Sequence, residues 1–187
     1  MTSSLIKKAL YFAAEKHDGQ YRKGGKVPYI VHPTLVAFGV SEYTHDEEII
    51  SAALLHDVVE DCNVNLTDLK NEFGNRVANL VEEVSFVEDK NQNWKDRKIN
   101  YLNKMKKVSD DALIILAVDK MTNMKAYFDM LEIDRKIVEK LFSGKPEDYY
   151  WYYSEVEKIL DASLISKSSI VVAYKHLLSS YKTKRTM

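Results

Sequence analysis

The stretch Ser51–Asp61, S-A-A-L-L-H-D-V-V-E-D, constrains the fold more than any other part of the chain. At about 100° of turn per residue, a helix through it stacks Glu60 on His56 and Asp61 on Asp57, with Ala53 between the two columns. Leu54, Leu55, Val58 and Val59 take most of the remaining circumference. A helix apolar over that much of its surface is normally buried, yet histidine, aspartate and glutamate are seldom fully buried without partners. The fold must wrap this helix and also give its polar strip something to share. A divalent cation with bound water is the simplest candidate, because it lowers the cost of sequestered carboxylates and accepts neutral imidazole as a ligand.

The rest of the chain predicts an all-α fold, a helical bundle with the metal site between helices. Only three prolines and six glycines occur in 187 residues, and no run shows sustained strand alternation between turn signals. A first helix, capped by Ser3 or Ser4, runs to about Lys16. A long loop from His17 to Pro33, rich in glycine and base, places His32 at the N-terminal boundary of a second helix that ends near Glu42. The helix opened above is the third. Thr67 is expected to cap a short helix ending near Gly74, with another from about Asn75 to Phe86. A polar connection over 87–96 leads to an amphipathic helix from Trp94 to about Lys107. Ser109-Asp110-Asp111 then starts a long helix carrying the core run Ala112–Val118, with Asp119 at its end. After a break between Leu141 and Pro146, Tyr149-Tyr-Trp-Tyr-Tyr opens a further helix, and 168–181 form a last one.

At 45% hydrophobic and 29% charged residues, the chain can bury a sizeable core. A formal net charge of -1 argues against a general nucleic-acid binder. The one cysteine, Cys62, has no partner for an internal disulfide. No apolar run is long enough to cross a bilayer, and the N-terminus lacks the apolar core of a signal peptide. These features predict a cytoplasmic chain with no membrane partner. No internal repeat or convincing linker divides it, so residues 1–187 read as one domain.

Each polar residue alone has an ordinary reading. A lone His-Asp pair is usually surface chemistry, His32 a helix cap, and Asp119 a buried acid satisfied by nearby backbone. His17 and His45 read as ordinary polar positions, and His176 as facing solvent or packing. As a set, His32, His56, Asp57 and Asp119 offer imidazole nitrogens and carboxylate oxygens in a mixture suited to manganese, iron or zinc. An octahedral ion held by them keeps open positions for water and a substrate oxygen. Such an ion lowers the pKa of water and polarises a phosphoryl group. Glu60 and Asp61, one turn further on, are placed to orient or deprotonate that water.

Blocks of sequence then carry a resemblance: A-A-E-K-H-D-G-Q-Y-R-K at Ala13, P-Y-I-V-H-P at Pro28, A-A-L-L-H-D-V-V-E-D at Ala52, F-G-N-R-V-A-N-L-V-E-E-V at Phe73 and L-A-V-D-K-M-T-N-M at Leu116. In this order they resemble the HD-domain hydrolases, specifically the guanosine tetraphosphate (ppGpp) hydrolase domain of the RelA/SpoT type in its small, single-domain form. The similarity covers about 9–130, with the helices of 131–187 expected to complete the fold.

The resemblance implies roles residue by residue. His32, His56, Asp57 and Asp119 take the metal-ligand positions, with manganese the usual family metal. Glu60 and Asp61 match the acidic pair that activates water. Arg22 and Lys23 match a basic pair that contacts the guanine, a role suited to a planar guanidinium. Asn123 matches a nucleotide-contacting asparagine. Lys95, Arg97 and Lys98 lie where basic residues meet phosphates, and Tyr149 stands where it would wall a nucleotide cleft. The implied substrate is a small nucleotide, and a homo-oligomer is compatible. The implied reaction removes the 3′-pyrophosphate of ppGpp or pppGpp, giving GDP or GTP and pyrophosphate.

The chain departs from the family pattern in the length of the loop from Arg22 to Pro28. It also has Lys120 and Thr122 where an arginine and a histidine are usual. Two alternatives stay open. The same site could act on another nucleotide, such as the 2′-phosphate of NADPH, or the chain could bind an alarmone without catalysis. The intact ligand set and the Glu60-Asp61 pair weigh against the latter.

Overall fold

The computed structural model describes residues 4–86 and 91–184. Among them, Ser4–Lys16 form α1, Val31–Ser41 α2, Glu47–Leu55 α3, Val58–Asp61 α4, Leu66–Phe73 α5 and Asn75–Val84 α6. Trp94–Met105 form α7, Asp110–Ile133 α8, Arg135–Leu141 α9, Pro146–Asp161 α10 and Ser169–Lys184 α11. Extended pairing among the described residues is limited to a bridge between Tyr21 and Pro28, so the all-α expectation holds. The chain divides into two compact units, Met1–Val87 with Asp111–Leu116 and Glu88–Asp110 with Ala117–Met187.

The first unit is built round α3. Every residue from Ile49 to Leu55 is buried, and α1, α2 and α6 pack against the helix. Ala9 and Ala13 of α1 are small enough to let the backbones approach, while Val36, Ala37 and Val40 of α2 and Val77, Ala78 and Val81 of α6 fill the other sides. Burying one leucine of this kind, such as Leu55, stabilises the fold by roughly 1.5–3 kcal/mol. Asp46 caps α3, its Oδ1 accepting the N–H groups of Glu48 and Ile49 at 2.9 and 3.4 Å. On the surface, the Arg76 guanidinium ties Asp46, Glu48 and Asp111 together at 2.8, 2.8 and 2.9 Å. Gly74, at φ +87°, makes the turn between α5 and α6, a backbone region costly for residues with a Cβ.

The second unit packs α10 against α7 and α11. The aromatic run of α10 splits as helical periodicity requires: Tyr152 and Tyr153 are buried, whereas Tyr149, Tyr150 and Trp151 are half-buried. Tyr174 donates its hydroxyl to the Tyr153 carbonyl at 3.0 Å, so one buried ring satisfies a buried acceptor.

Three expectations about local structure are corrected. The helix predicted straight through Ser51–Asp61 is interrupted at His56 and Asp57, which become the C-cap of α3 and the N-cap of α4. His56 Nδ1 donates to the Ala53 carbonyl at 2.8 Å, the acceptor that the Asp57 N–H would use in an unbroken helix. Asp119 follows the core run Ala112–Val118 as expected and so lies in the middle of α8, which good helix formers continue to Ile133. The cap of α5 is Asn65, not Thr67, with its side-chain oxygen on the Asp68 N–H at 2.8 Å. Finally, α2 begins at Val31, so His32 sits inside its first turn. Of the other sequence expectations, the Ser3 cap and positions 87–90 of the polar connection lie outside the described residues.

Candidate metal centre

The first unit brings His32, His56 and Asp57 together. The bond from His56 Nδ1 to Ala53 fixes its tautomer and turns Nε2 toward the Asp57 carboxylate, whose Oδ1 lies 3.1 Å away. His32 directs its own Nε2 toward the other oxygen, Oδ2, at 3.6 Å. The two imidazoles meet edge to face with centroids 5.2 Å apart, and both are buried. Two donors bonded at right angles to one ion at about 2.1 Å stand about 3 Å apart, so these separations fit a shared divalent cation. The chemistry fits as well: neutral imidazole with a carboxylate suits a borderline transition metal. His56 is buried within the same apolar stretch as Leu54, Leu55 and Val58, where a cation lowers the cost of sequestered polar groups.

Tyr29 and His17 belong to the same cluster, and the sequence reading missed both. Tyr29 donates its hydroxyl to Asp57 Oδ2 at 2.7 Å. Burial, then the charges of Asp57 and Asp61, hold that phenol well above its ordinary range, so it remains a donor. His17, expected as an ordinary polar position, is instead buried and stacked on Tyr29 with centroids 4.7 Å apart. Its Nδ1 lies 2.9 Å from Gln20 Oε1 and 3.2 Å from Cys62 Sγ. Burial pushes the Cys62 thiol up, which makes it a packed group more than a nucleophile. The available signal was spacing: His17 falls one helical turn after the buried Ala13, on the inner face of α1.

Of the acidic pair, Glu60 is exposed, and its Oε1 accepts the Phe86 N–H at 2.5 Å. Asp61 ends α4. Burial and the nearby Asp57 charge push its carboxyl up, against opposing interactions with Tyr29, His17 and His56. Arg22 lies with its guanidinium carbon 5.5 Å from the Tyr29 ring centre, and Lys23 is exposed beside it at the tip of the loop.

In the second unit, Asp119 is buried on α8, paired with Lys120 Nζ and Asn123 Nδ2, each at 2.5 Å. Lys120 also sits 4.6 Å over the Tyr101 ring. Burial works against its charge, but the charge and hydrogen bond of Asp119 together with Tyr101 and Tyr152 outweigh it and hold the ammonium well above the usual lysine range. On α7, Lys95 lies over Trp151 at 5.1 Å and Lys98 over Tyr152 at 5.6 Å, while Arg97 donates to the Gln92 carbonyl at 2.7 Å. Tyr149 stacks on Tyr127 at 4.1 Å and tilts against Trp94 at 4.9 Å.

Comparison with known proteins adds four findings. A family profile described as HD domain matches residues 9–142. The chain is 35% identical over 159 residues to guanosine-3′,5′-bis(diphosphate) 3′-pyrophosphohydrolase MESH1 of Xenopus tropicalis, covering 83% of this chain and 84% of that protein. It is 39% identical over 137 residues to the guanosine-3′,5′-bis(diphosphate) 3′-pyrophosphohydrolase of Aquifex aeolicus, covering 72% of this chain but only 19% of that longer protein. Its fold is similar to a solved structure of a metazoan SpoT ortholog, described as hydrolysing ppGpp and playing a role in starvation responses. That likeness has a TM-score of 0.77 at 27% identity and covers 96% of this chain and 97% of that one.

Proposed function

This chain belongs to the HD domain family, and on that premise we propose that it is a metal-dependent phosphohydrolase that converts ppGpp or pppGpp to GDP or GTP and pyrophosphate. The observation that carries the reading is the pairing of the His32 and His56 imidazoles with opposite oxygens of the Asp57 carboxylate, in a buried setting. Support for the substrate comes from the frog relative named for this reaction, which matches along most of both chains.

His32, His56, Asp57 and Asp119 are the residues that would hold the divalent ion, with manganese the expected metal. When bound, it supplies Lewis acidity toward the phosphoryl group. The remaining work falls to the chain. Glu60 and Asp61 orient the attacking water and take its proton as the oxygen bonds to phosphorus, while the bond from that phosphorus to the 3′-oxygen breaks and the departing oxygen takes up a proton to become the ribose hydroxyl. Arg22 and Lys23 receive the guanine, the guanidinium offering a flat cationic face to the base. Asn123 contacts the nucleotide, and Lys95, Arg97 and Lys98 meet its phosphates, with Tyr149 beside them.

The test is manganese-dependent release of pyrophosphate from ppGpp, with NADPH assayed in parallel and Asp57→Ala as the blank. Release from ppGpp that the blank lacks supports the reading. Phosphate released from NADPH alone would move the substrate to the 2′-phosphate while keeping the site. Manganese binding with neither reaction would leave a binding protein.

A further inference from the structure

Two side chains from one loop grip the two ends of α4. The loop closes on itself at its base, where the Tyr29 N–H donates to the Gln20 carbonyl and the Arg22 N–H to the Val27 carbonyl, both at 2.9 Å. From this base Tyr29 reaches the Asp57 carboxylate at 2.7 Å, and Gln20 Nε2 reaches the Asp61 backbone carbonyl at 3.1 Å. Asp57 and Asp61 are the first and last groups of a single turn, joined by the Asp61 N–H donating to the Asp57 carbonyl at 2.9 Å. A one-turn helix has too few internal hydrogen bonds to hold its own register, so outside contacts must do so. Behind the loop, buried His17 supports both residues, with its ring on Tyr29 and its Nδ1 beside Gln20.

We infer that Tyr29 is a positioning residue whose hydroxyl fixes the orientation in which Asp57 presents its carboxylate to a divalent cation, with Gln20 holding α4 in register. The inference rests on the reading of His32, His56 and Asp57 as metal ligands. Asp57 Oδ2 has His32 Nε2 at 3.6 Å on one side and the Tyr29 hydroxyl at 2.7 Å on another, so the phenol restrains the swing of the carboxylate about its own bond. A charge-assisted hydrogen bond from a half-buried tyrosine is a strong restraint, and partners of this kind set the affinity of a metal site. Arg22 lies against Tyr29, on the loop that ends in exposed Lys23.

The experiment uses the full chain as wild type, Tyr29→Phe, Gln20→Met and Asp57→Ala. Manganese affinity is read from free Mn2+ by electron paramagnetic resonance, alongside melting of the metal-free protein and kcat and KM for ppGpp. Tyr29→Phe is expected to weaken manganese binding by roughly 10- to 100-fold, and to lower kcat while leaving KM for ppGpp near wild type. Its metal-free melting is expected to stay close to that of the parent. Gln20→Met is expected to weaken manganese several-fold in the same manner. If Asp57→Ala loses manganese but Tyr29→Phe binds it as the wild type does, the positioning role is overturned and the metal reading stands. If Asp57→Ala binds manganese as well as wild type, the metal reading itself falls. A Tyr29→Phe chain that fails to fold would also overturn the role, since the hydroxyl would then serve the fold and not the site.

Discussion

The Glu60 carboxylate accepts the backbone N–H of Phe86, joining α4 to the residues that follow α6. The bond places an acid one residue from Asp61 while leaving the side chain exposed to water. Replacement by glutamine keeps an oxygen to accept the Phe86 N–H and removes the charge. Glu60→Gln is therefore expected to keep its fold and its bound manganese, and to lower kcat for ppGpp by about 10²- to 10⁴-fold, the usual contribution of a positioned base. Turnover equal to wild type, measured by pyrophosphate release, would remove Glu60 from water activation.

His56 does two things at once, turning Nδ1 to the Ala53 carbonyl and Nε2 to Asp57. His56→Ala removes a proposed ligand and also the contact that ends α3. It is expected to lose more than about 10² in manganese affinity, a larger loss than partners outside the ligand shell give. The chain is expected to unfold at a temperature that no longer rises with added manganese, whereas the wild type gains stability with free metal. Metal-dependent melting curves of the two proteins check this.

Arg22 lies over the Tyr29 ring, with its guanidinium carbon 5.5 Å from the ring centre. For Arg22→Ala, KM for ppGpp is expected to rise about tenfold with kcat changed less than about twofold, the signature of lost ground-state binding. A rise in KM with a parallel fall in manganese affinity would instead show the loop transmitting its state to Asp57.

Stability has its own pH dependence at the head of α3. Burial opposes the charge of Asp46, but Arg76 and the N–H groups of Glu48 and Ile49 outweigh it and hold the carboxyl below the usual aspartate range. A carboxyl lowered on folding adds stability above its unfolded pKa of about 3.9, and that stability is lost as pH falls through the folded value. Asparagine caps helices as well as aspartate does, so Asp46→Asn isolates the charge. The variant is expected to be less stable than wild type at pH 7, with the difference shrinking as pH falls below about 4. Denaturant unfolding at several pH values measures the gap.

Much of the architecture was legible because helical periodicity is a local property. The buried stripe of α3, the break between Leu141 and Pro146 and the split aromatic face of α10 all follow from 3.6-residue spacing and from residues that stop helices. The type and order of the polar residues His32, His56 and Asp57 likewise pointed to a candidate metal site, since a cation lowers the cost of placing such groups in a core.

What the tertiary structure decided is how those groups face one another. The interruption at His56 depends on a ring nitrogen competing for a backbone carbonyl, a contact that periodicity does not encode. Tyr29 and His17 come from a loop and the residue just past α1, far in sequence from Asp57, and their roles exist only because the fold carries them there. Composition and spacing determine which faces must be buried, because hydrophobic burial sums over local residues and has no direction. Hydrogen bonds are directional and reach only about 3 Å, so the orientation of Asp57 had to wait for the packing that brings Tyr29 to it.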